Sequence, residues 1–417
     1  MNFLLDVGIS PQLGALLELD GHSFRYVPRH FSNRLSDSEI LEIARQRPHL
    51  RSMRSIVLVI CSIVLVFAAC RKDDPAPEPV GPGAPAPVSP VVFDLGEVPY
   101  PVLSTYNFFE GELADMMPVQ GVLPFEPLNT LFTDYAHKKR FVWMPVGAKA
   151  QYAGDGNPLD FDDGSVLIKN FYYEHVMPAD EQRIIETRLL FRRNGQWEFA
   201  DYVWNADQTE ATLDMNGATI PIDWVDDNNV LRHAEYRIPT ESECFTCHKN
   251  YDLIVPIGPK PMNLRNSFMF ADGPMDQLAK WQAVGYLEAN VPPNIVTPVR
   301  WDDETQDLQE RVRAYVDINC AHCHSEGKHC DYRPIRYAFS ETSDPINLGV
   351  CVEPTEDLGS LYTYIVTSGN VERSSMHYRM SSDEEQIRMP LLGRSVAHDE
   401  AVQLVEDWIN SLSPPCN

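Results

Sequence analysis

The sequence predicts an α+β multidomain protein: an antiparallel, sandwich-like β domain followed by a mainly α-helical region. Three observations lead there. Between residues 93 and 240, runs rich in β-branched and aromatic residues are punctuated by Asn, Asp and Gly. Beyond Pro239 the apolar residues recur at helical spacing instead. The chain, at 417 residues, is long enough for two or three domains with cores of their own.

The first 52 residues stand apart. "MNFLLDVGISPQLGALLELDGHSF" opens with a short apolar strand ending at Asp6 and continues in a helical pattern, and "SDSEILEIARQ" carries a capping-box pattern from Ser36 to Glu39. Residues 1–47 resemble the first third of small PIN-like nuclease toxins, in which an early Asp helps bind a metal. The later acidic residues of that fold are missing, so 1–52 reads as a fusion remnant or a miscalled start, with Met53 as the start. Residues 53–70 then fit a signal peptide: Met53-Arg54 form a basic beginning, "IVLVICSIVLVFAA" is an apolar run of 14 residues, and small residues precede Cys70. That run is too short to span a bilayer comfortably; the competing reading is a plain transmembrane anchor. "LVFAAC" resembles a bacterial lipoprotein box, which implies lipidation of Cys70 and a firm membrane anchor. Under either reading the rest of the chain is exported. Residues 71–92 contain "DDPAPEPVGPGAPAPVSP", an extended Pro-rich tether.

In the β region, "SVLIKNFYYEHV" (165–176), "RIIETRLLFRR" (183–193) and "QWEFADYVW" (196–204) read as strands, with "RNGQ" (193–196) as a hairpin turn between the last two. Tyr172, Tyr173, Trp197 and Trp204 are expected in the core, and no catalytic constellation is legible among these strands. Helical spacing then appears in "MDQLAKWQAVGYLEA" (275–289), "LQERVRAYVDI" (308–318) and "EAVQLVEDWINSL" (400–412). In the last, Ala401, Leu404, Val405, Trp408, Ile409 and Leu412 make one stripe, with His398 or Asp399 available to cap its start.

The densest chemistry lies in "NCAHCHSEGKHC" (319–330). Its core, C-x-x-C-H, occurs twice: Cys244, Cys247 and His248 in "CFTCH", and Cys320, Cys323 and His324 in "CAHCH". C-x-x-C-H is the attachment signal for c-type haem. Two thiols three positions apart reach the two vinyl groups of one porphyrin, and the following imidazole becomes the proximal iron ligand. A zinc ribbon would pair its C-x-x-C units far more closely than the 73 positions separating Cys247 from Cys320. A redox dithiol gives no reason for the trailing His. Two haem c groups are therefore expected, one in residues 241–300 and one in a C-terminal cytochrome c domain, 301–417. His322, inside the second spacer, is expected to be a solvent-facing helix residue.

The second unit supplies each part of a single-haem cytochrome c: a leading helix, the motif, a Met-bearing loop and a closing helix. Met389 in "IRMPLLG" is the expected distal ligand, with Met376 and Met380 as rivals. The first haem has no clear distal ligand. Met262 is the named candidate, with Met269, Met275, His137 and His175 as alternatives, and a five-coordinate iron also fits. Cys330 and Cys351 are candidates for a disulfide, while Cys416 has no evident partner. The net charge of −26 argues against nucleic acid and allows a basic protein partner.

"LFTDYAHKKRFVWMP", "VLIKNFYY", "ETRLLFRRNGQWEFADYVWNADQTEA", "YRIPTESECFTCH", "IGPKPMNL", "YVDINCAHCH", "LGVC" and "RMPLLGR" together resemble the bacterial exported di-haem c-type cytochromes, over residues 95–412. The resemblance implies a β-rich region joined to a helical, cytochrome c-type haem region. It also implies a dehydrogenase donor, sugar-dehydrogenase-like in some relatives, and a small cytochrome or respiratory-chain acceptor. The expected function is single-electron transfer at a periplasm-facing cell envelope. A di-haem peroxidase-like enzyme with one open haem site, and a haem-bearing binding or redox-sensing module, are the alternatives.

Overall fold

The computed structural model describes residues 88–416 together with strands β1 (Asn2–Leu5) and β2 (Ser23–Tyr26). It divides into two compact units, Met1–Pro85 and Ala86–Asn417. In the first, β1 and β2 pair in parallel. The signal-peptide segment, Cys70 and most of the Pro-rich tether lie outside the described residues. Among the described residues no helix is long and apolar enough to cross a membrane.

The second unit is built on an eight-stranded antiparallel sheet: β3 (Leu123–Phe125), β4 (His137–Trp143), β5 (Val166–Val176), β6 (Glu181–Arg193), β7 (Gln196–Trp204), β8 (Ala211–Leu213), β9 (Ala218–Val225) and β10 (Leu231–Ile238). The order is β8-β7-β6-β5-β9-β10. The edge of β5 that meets β9 is shared: residues 166–172 pair with β4, which pairs with β3, and only Val176 reaches Trp224 of β9. The three long strands expected from the sequence are present, as is the turn between β6 and β7. Arg193 pairs with Gln196, and Asn194 and Gly195 both take positive φ (53° and 74°), as a type I′ hairpin turn requires.

Period-two alternation gives the sheet two different faces. Ile168, Leu189, Phe191 and Tyr202 look toward a core closed by residues 91–122. The opposite face carries two apolar clusters, one around Val142, Leu167 and Trp197, the other around Phe171, Tyr173 and Tyr236. Tyr173, Trp197 and Trp204 are buried and Tyr172 packs on the first core, as expected.

Beyond the sheet come α1 (Glu241–His248), α2 (Gln277–Ala283), α3 (Leu308–Asn319), α4 (Ser375–Ser381) and α5 (Asp399–Ser411). A full capping box starts α1: Thr240 accepts from Glu243 N–H, and Glu243 accepts from Thr240 N–H. Asp307 caps α3 through Glu310 N–H. His398 takes the N-cap position of α5 without a side-chain capping bond. The stripe Ala401, Leu404, Val405, Trp408 and Ile409 is buried against α3 and α4.

The antiparallel β part of the expected fold is therefore present, while a mainly helical remainder is not. Residues 320–370 run in turns and irregular chain, interrupted by Pro334, Pro345 and Pro354, which lack an N–H, and by Gly349 at φ 87°. The helix expected over 275–289 is only α2, capped by Asp276 and ended by Gly285 at φ 85°. Polar bonds join this part to the sheet region. Phe132 N–H donates to Asn319 at 2.8 Å, and Asp134 accepts from Ser395 and Val396; within the part beyond the sheet, Lys260 pairs with buried Asp317 at 2.9 Å.

Candidate functional site

The two C-x-x-C-H motifs occupy different local structures. "CFTCH" forms the last turns of α1, so Cys244, Cys247 and His248 are helical. "CAHCH" begins where α3 stops, so Cys320, Cys323 and His324 lie in turns. Each motif opens onto a cavity. One, of about 370 Å³, is lined by Cys320, Cys323 and His324 and also by Met376, Met380 and Met389. The other, of about 130 Å³, is lined by Cys244, Cys247 and His248. Cys247, His322, Pro390 and Leu392 line both, so the cavities adjoin across a common wall.

Both motif histidines are poised as neutral ligands. Burial lowers His248 to about 3 and His324 to about 4, so each ring is uncharged at neutral pH, the form that binds metals. Nδ1 of His248 lies 2.8 Å from the Val255 carbonyl oxygen and donates to it, which leaves Nε2 with its lone pair free. The His248 ring meets Phe199 of β7 edge-on at 5.2 Å. Nδ1 of His324 is buried and has no hydrogen-bond partner among the described residues, and Tyr337 packs edge-on against its ring at 5.5 Å. Burial pushes the thiols of Cys244 and Cys320 up to about 12.

The shared wall brings the motifs into contact. Sγ of Cys247, a ring nitrogen of His322 and Sγ of Cys323 lie within 4.8 Å of one another. A hydrogen bond from Cys323 draws the Cys247 thiol well down, and the same contact raises that of Cys323. His322 is half-buried in a turn with Nδ1 unpartnered, not on the surface of a helix as expected. The reason is the early end of α3, which turns the spacer inward. Two thiols and an imidazole are also a donor set for zinc or copper, brought together despite the sequence distance between the motifs.

Of the expected methionines, Met389 fits best as a ligand. Met376 is occupied by the Tyr337 hydroxyl, 4.0 Å from its sulfur, and both Met376 and Met380 belong to the apolar core. Met389 is half-buried on the cavity wall. Its N–H donates to Arg379 O at 2.8 Å, and its carbonyl accepts from Arg394 at 3.1 Å, so its backbone is held on both sides. Met262 is buried but lines neither cavity, because its helical turn packs it beside Gly156. Met269 and Met275 sit on an exposed hairpin, His175 pairs with Asp180, and His137 lies against Tyr172; none of them reaches the second cavity.

The disulfide expectation is corrected. Cys351 is bonded to Cys416, and Cys330 has no disulfide partner among the described residues. Cys330 is instead fixed on the wall of the larger cavity, with its N–H donating to Cys323 O at 3.0 Å.

The larger cavity falls in the roughly 300–1,000 Å³ range of cofactor sites, and its donors (paired thiols, an imidazole, a thioether) suit an iron porphyrin. The smaller has the right donors but lies below that range. Comparison of the chain with protein-family models, curated proteins and solved structures finds no match.

The smaller cavity holds a second chemical surprise. Asp201 lines it, is 2 % exposed, and among the described residues neither carboxyl oxygen accepts a hydrogen bond, Arg188 Nε lying 3.7 Å away. Burial, with the neighbouring Glu186 charge, lifts its carboxyl well above the usual carboxylate range, so folding takes up a proton there. That cost is absent below the unfolded carboxyl's range near pH 4 and grows by about 1.4 kcal/mol per pH unit until the folded carboxyl itself ionises. Asp201→Asn should therefore leave stability unchanged near pH 4 and raise it at pH 7. Denaturant midpoints at both pH values check this; an equal difference at the two would show that Asp201 folds ionised.

Proposed function

We propose that this chain is an exported, membrane-anchored di-haem c-type cytochrome, akin to the family it resembles, that transfers single electrons through two covalently bound haems. The observation that carries this is the placement of each C-x-x-C-H motif on its own cavity, with the two cavities sharing a wall. Cys244, Cys247 and His248 would hold one iron porphyrin, and Cys320, Cys323, His324 and Met389 the other. Bound haem supplies one-electron chemistry, and the protein ligates it, buries it and tunes it. The Cys351–Cys416 disulfide agrees with export to an oxidising compartment. Lipidation of Cys70, a dehydrogenase donor and a small cytochrome or respiratory acceptor complete the proposal.

The deciding experiment is a count of iron and haem per chain on protein matured in a host competent for cytochrome c assembly. Two haems per chain are expected. A colourless protein carrying zinc between Cys247, His322 and Cys323 would replace this proposal with a structural metal site. Met389→Ala should lower one reduction potential by roughly 0.1 V or more, within the roughly 0.8 V span that axial ligands control. It should also let carbon monoxide bind that iron; unchanged spectra and potentials would remove Met389 from the ligand set.

One observation favours a second reading, a peroxidase-like enzyme. No methionine is among the described residues lining the smaller cavity, and the buried Asp201 carboxyl is. A high-spin haem that turns over hydrogen peroxide with a reduced donor would support it.

A further inference from the structure

The sheet face beneath the smaller cavity carries a charged row where alternation calls for apolar residues. Lys169 stands between Leu167 and Phe171, both buried on that face. Across the sheet Arg140 of β4 is directly opposite Lys169 of β5, Lys169 is opposite Arg188 of β6, and Arg188 is opposite Asp201 of β7. All four line the smaller cavity together with Cys244, Cys247 and His248. Like charges directly opposite on neighbouring strands destabilise a sheet. Three in line need an offset.

The chain supplies too little of it. Glu186, fully buried, is taken up by Arg188, which donates to it through Nε at 2.8 Å and Nη2 at 2.5 Å. Asp201 is the other carboxyl in reach, 3.7 Å from Arg188 Nε. Arg140 is 8 % exposed, and its one carboxylate is exposed Glu126 at 4.0 Å. Lys169 makes no ion pair among the described residues; its Nζ rests 4.6 Å from the Phe171 ring centroid, a ring that Arg188 also covers at 4.4 Å. In a chain of net charge −26, this wall gathers three basic side chains, and burial together with the Arg140, Lys138 and Arg188 charges lowers Lys169 well below its ordinary range, so a carboxylate beside it would restore its charge.

We propose that Arg140, Lys169 and Arg188 form a carboxylate-binding site that takes the two propionate groups of the porphyrin attached at Cys244 and Cys247. This rests on the di-haem proposal. Two carboxylates offset the cations that the chain leaves unmatched, and charge-assisted bonds from Arg and Lys are the strong kind. The row thereby positions the first haem across the sheet face and raises its potential, because cations near the group disfavour the oxidised, more positive state.

The test uses the full holoprotein. Lys169→Met should leave two haems per chain and lower the potential of one of them, by on the order of tenfold in its one-electron equilibrium, about 59 mV. The melting temperature should fall, and Lys169→Arg should restore both. Lys139→Met, on the opposite face of the same sheet, should move neither potential. If the row holds no carboxylate, Lys169→Met removes only repulsion: the melting temperature rises, both potentials stay, and the proposal is overturned. Should Lys169→Met not accumulate, Arg140→Gln is read the same way. Failure of the underlying di-haem proposal is distinct, since the unsubstituted protein would then carry fewer than two haems.

Discussion

Replacing Cys320 and Cys323 together by alanine is expected to halve the haem content of the purified protein, from two per chain to one, and the Cys244/Cys247 pair should do the same. Under the proposal each cysteine pair attaches its own porphyrin, and the remaining histidine alone does not keep a porphyrin through denaturation and haem staining. The loss should be confined to one site, because the motifs are seated by different elements. α1 is fixed by its capping box and by the His248–Val255 hydrogen bond, whereas the second motif follows α3 in turns held by Tyr337 N–H on His324 O at 2.9 Å. The two variants should therefore have different residual spectra, the survivor in Cys244/Cys247→Ala keeping the methionine-ligated signature. Full haem staining in both variants would end the assignment. If Cys247→Ala and Cys323→Ala alone each abolished all bound metal, the two motifs would instead be sharing one ion through the thiols that meet in the common wall.

Local signals were legible in the sequence, and long-range ones were not. Strands β5, β6 and β7 follow from alternation, their hairpin from Asn194-Gly195, and α3 and α5 from apolar spacing, because in each the deciding contacts lie within one element or its neighbour. The doubled motif is likewise local, and the structure sets its thiols and imidazoles on two adjoining cavities. What escaped depends on register between distant strands. Nothing near Lys169 in sequence points to Arg140, Arg188 or Asp201 as its neighbours; only pairing across β4 to β7 aligns them. A faint signal was present, since "LIKNF" puts Lys169 on the same phase as Leu167 and Phe171, and a cation in an inward phase asks for an anion. His322 escaped because the two-residue spacer of the second motif reads as continuing the helix before it, whereas α3 ends at Asn319. Nothing near Met262 in sequence shows where its side chain lies: its N–H donates to the Asp155 carbonyl at 3.0 Å, and it is not among the residues lining the smaller cavity.

The disulfide makes the second large prediction. Cys351 and Cys416 are 65 positions apart, and closing a loop of that length is worth about 4 kcal/mol in the chain-entropy account. Cys416→Ser, or reduction of the bond, should thus lower unfolding free energy by about that much, whereas Cys330→Ser should cost far less. The bond ties the chain end beyond α5 to the loop at Cys351, whose N–H donates to Val366 O at 2.9 Å; Ser368 Oγ donates to Pro414 O at 2.7 Å beside it. Ile365, next to that junction, is on the wall of the larger cavity. Loosening the tail should for that reason also weaken the grip around His324 and Met389, seen as a methionine-ligand signature lost at a lower temperature than in the intact protein. Denaturant midpoints with and without reductant measure the first effect, and peptide mapping of the unreduced protein identifies the bonded pair. A Cys330–Cys351 crosslink in that map, or a Cys330→Ser variant as damaged as Cys416→Ser, would reverse the assignment and leave the C-terminal tail untethered.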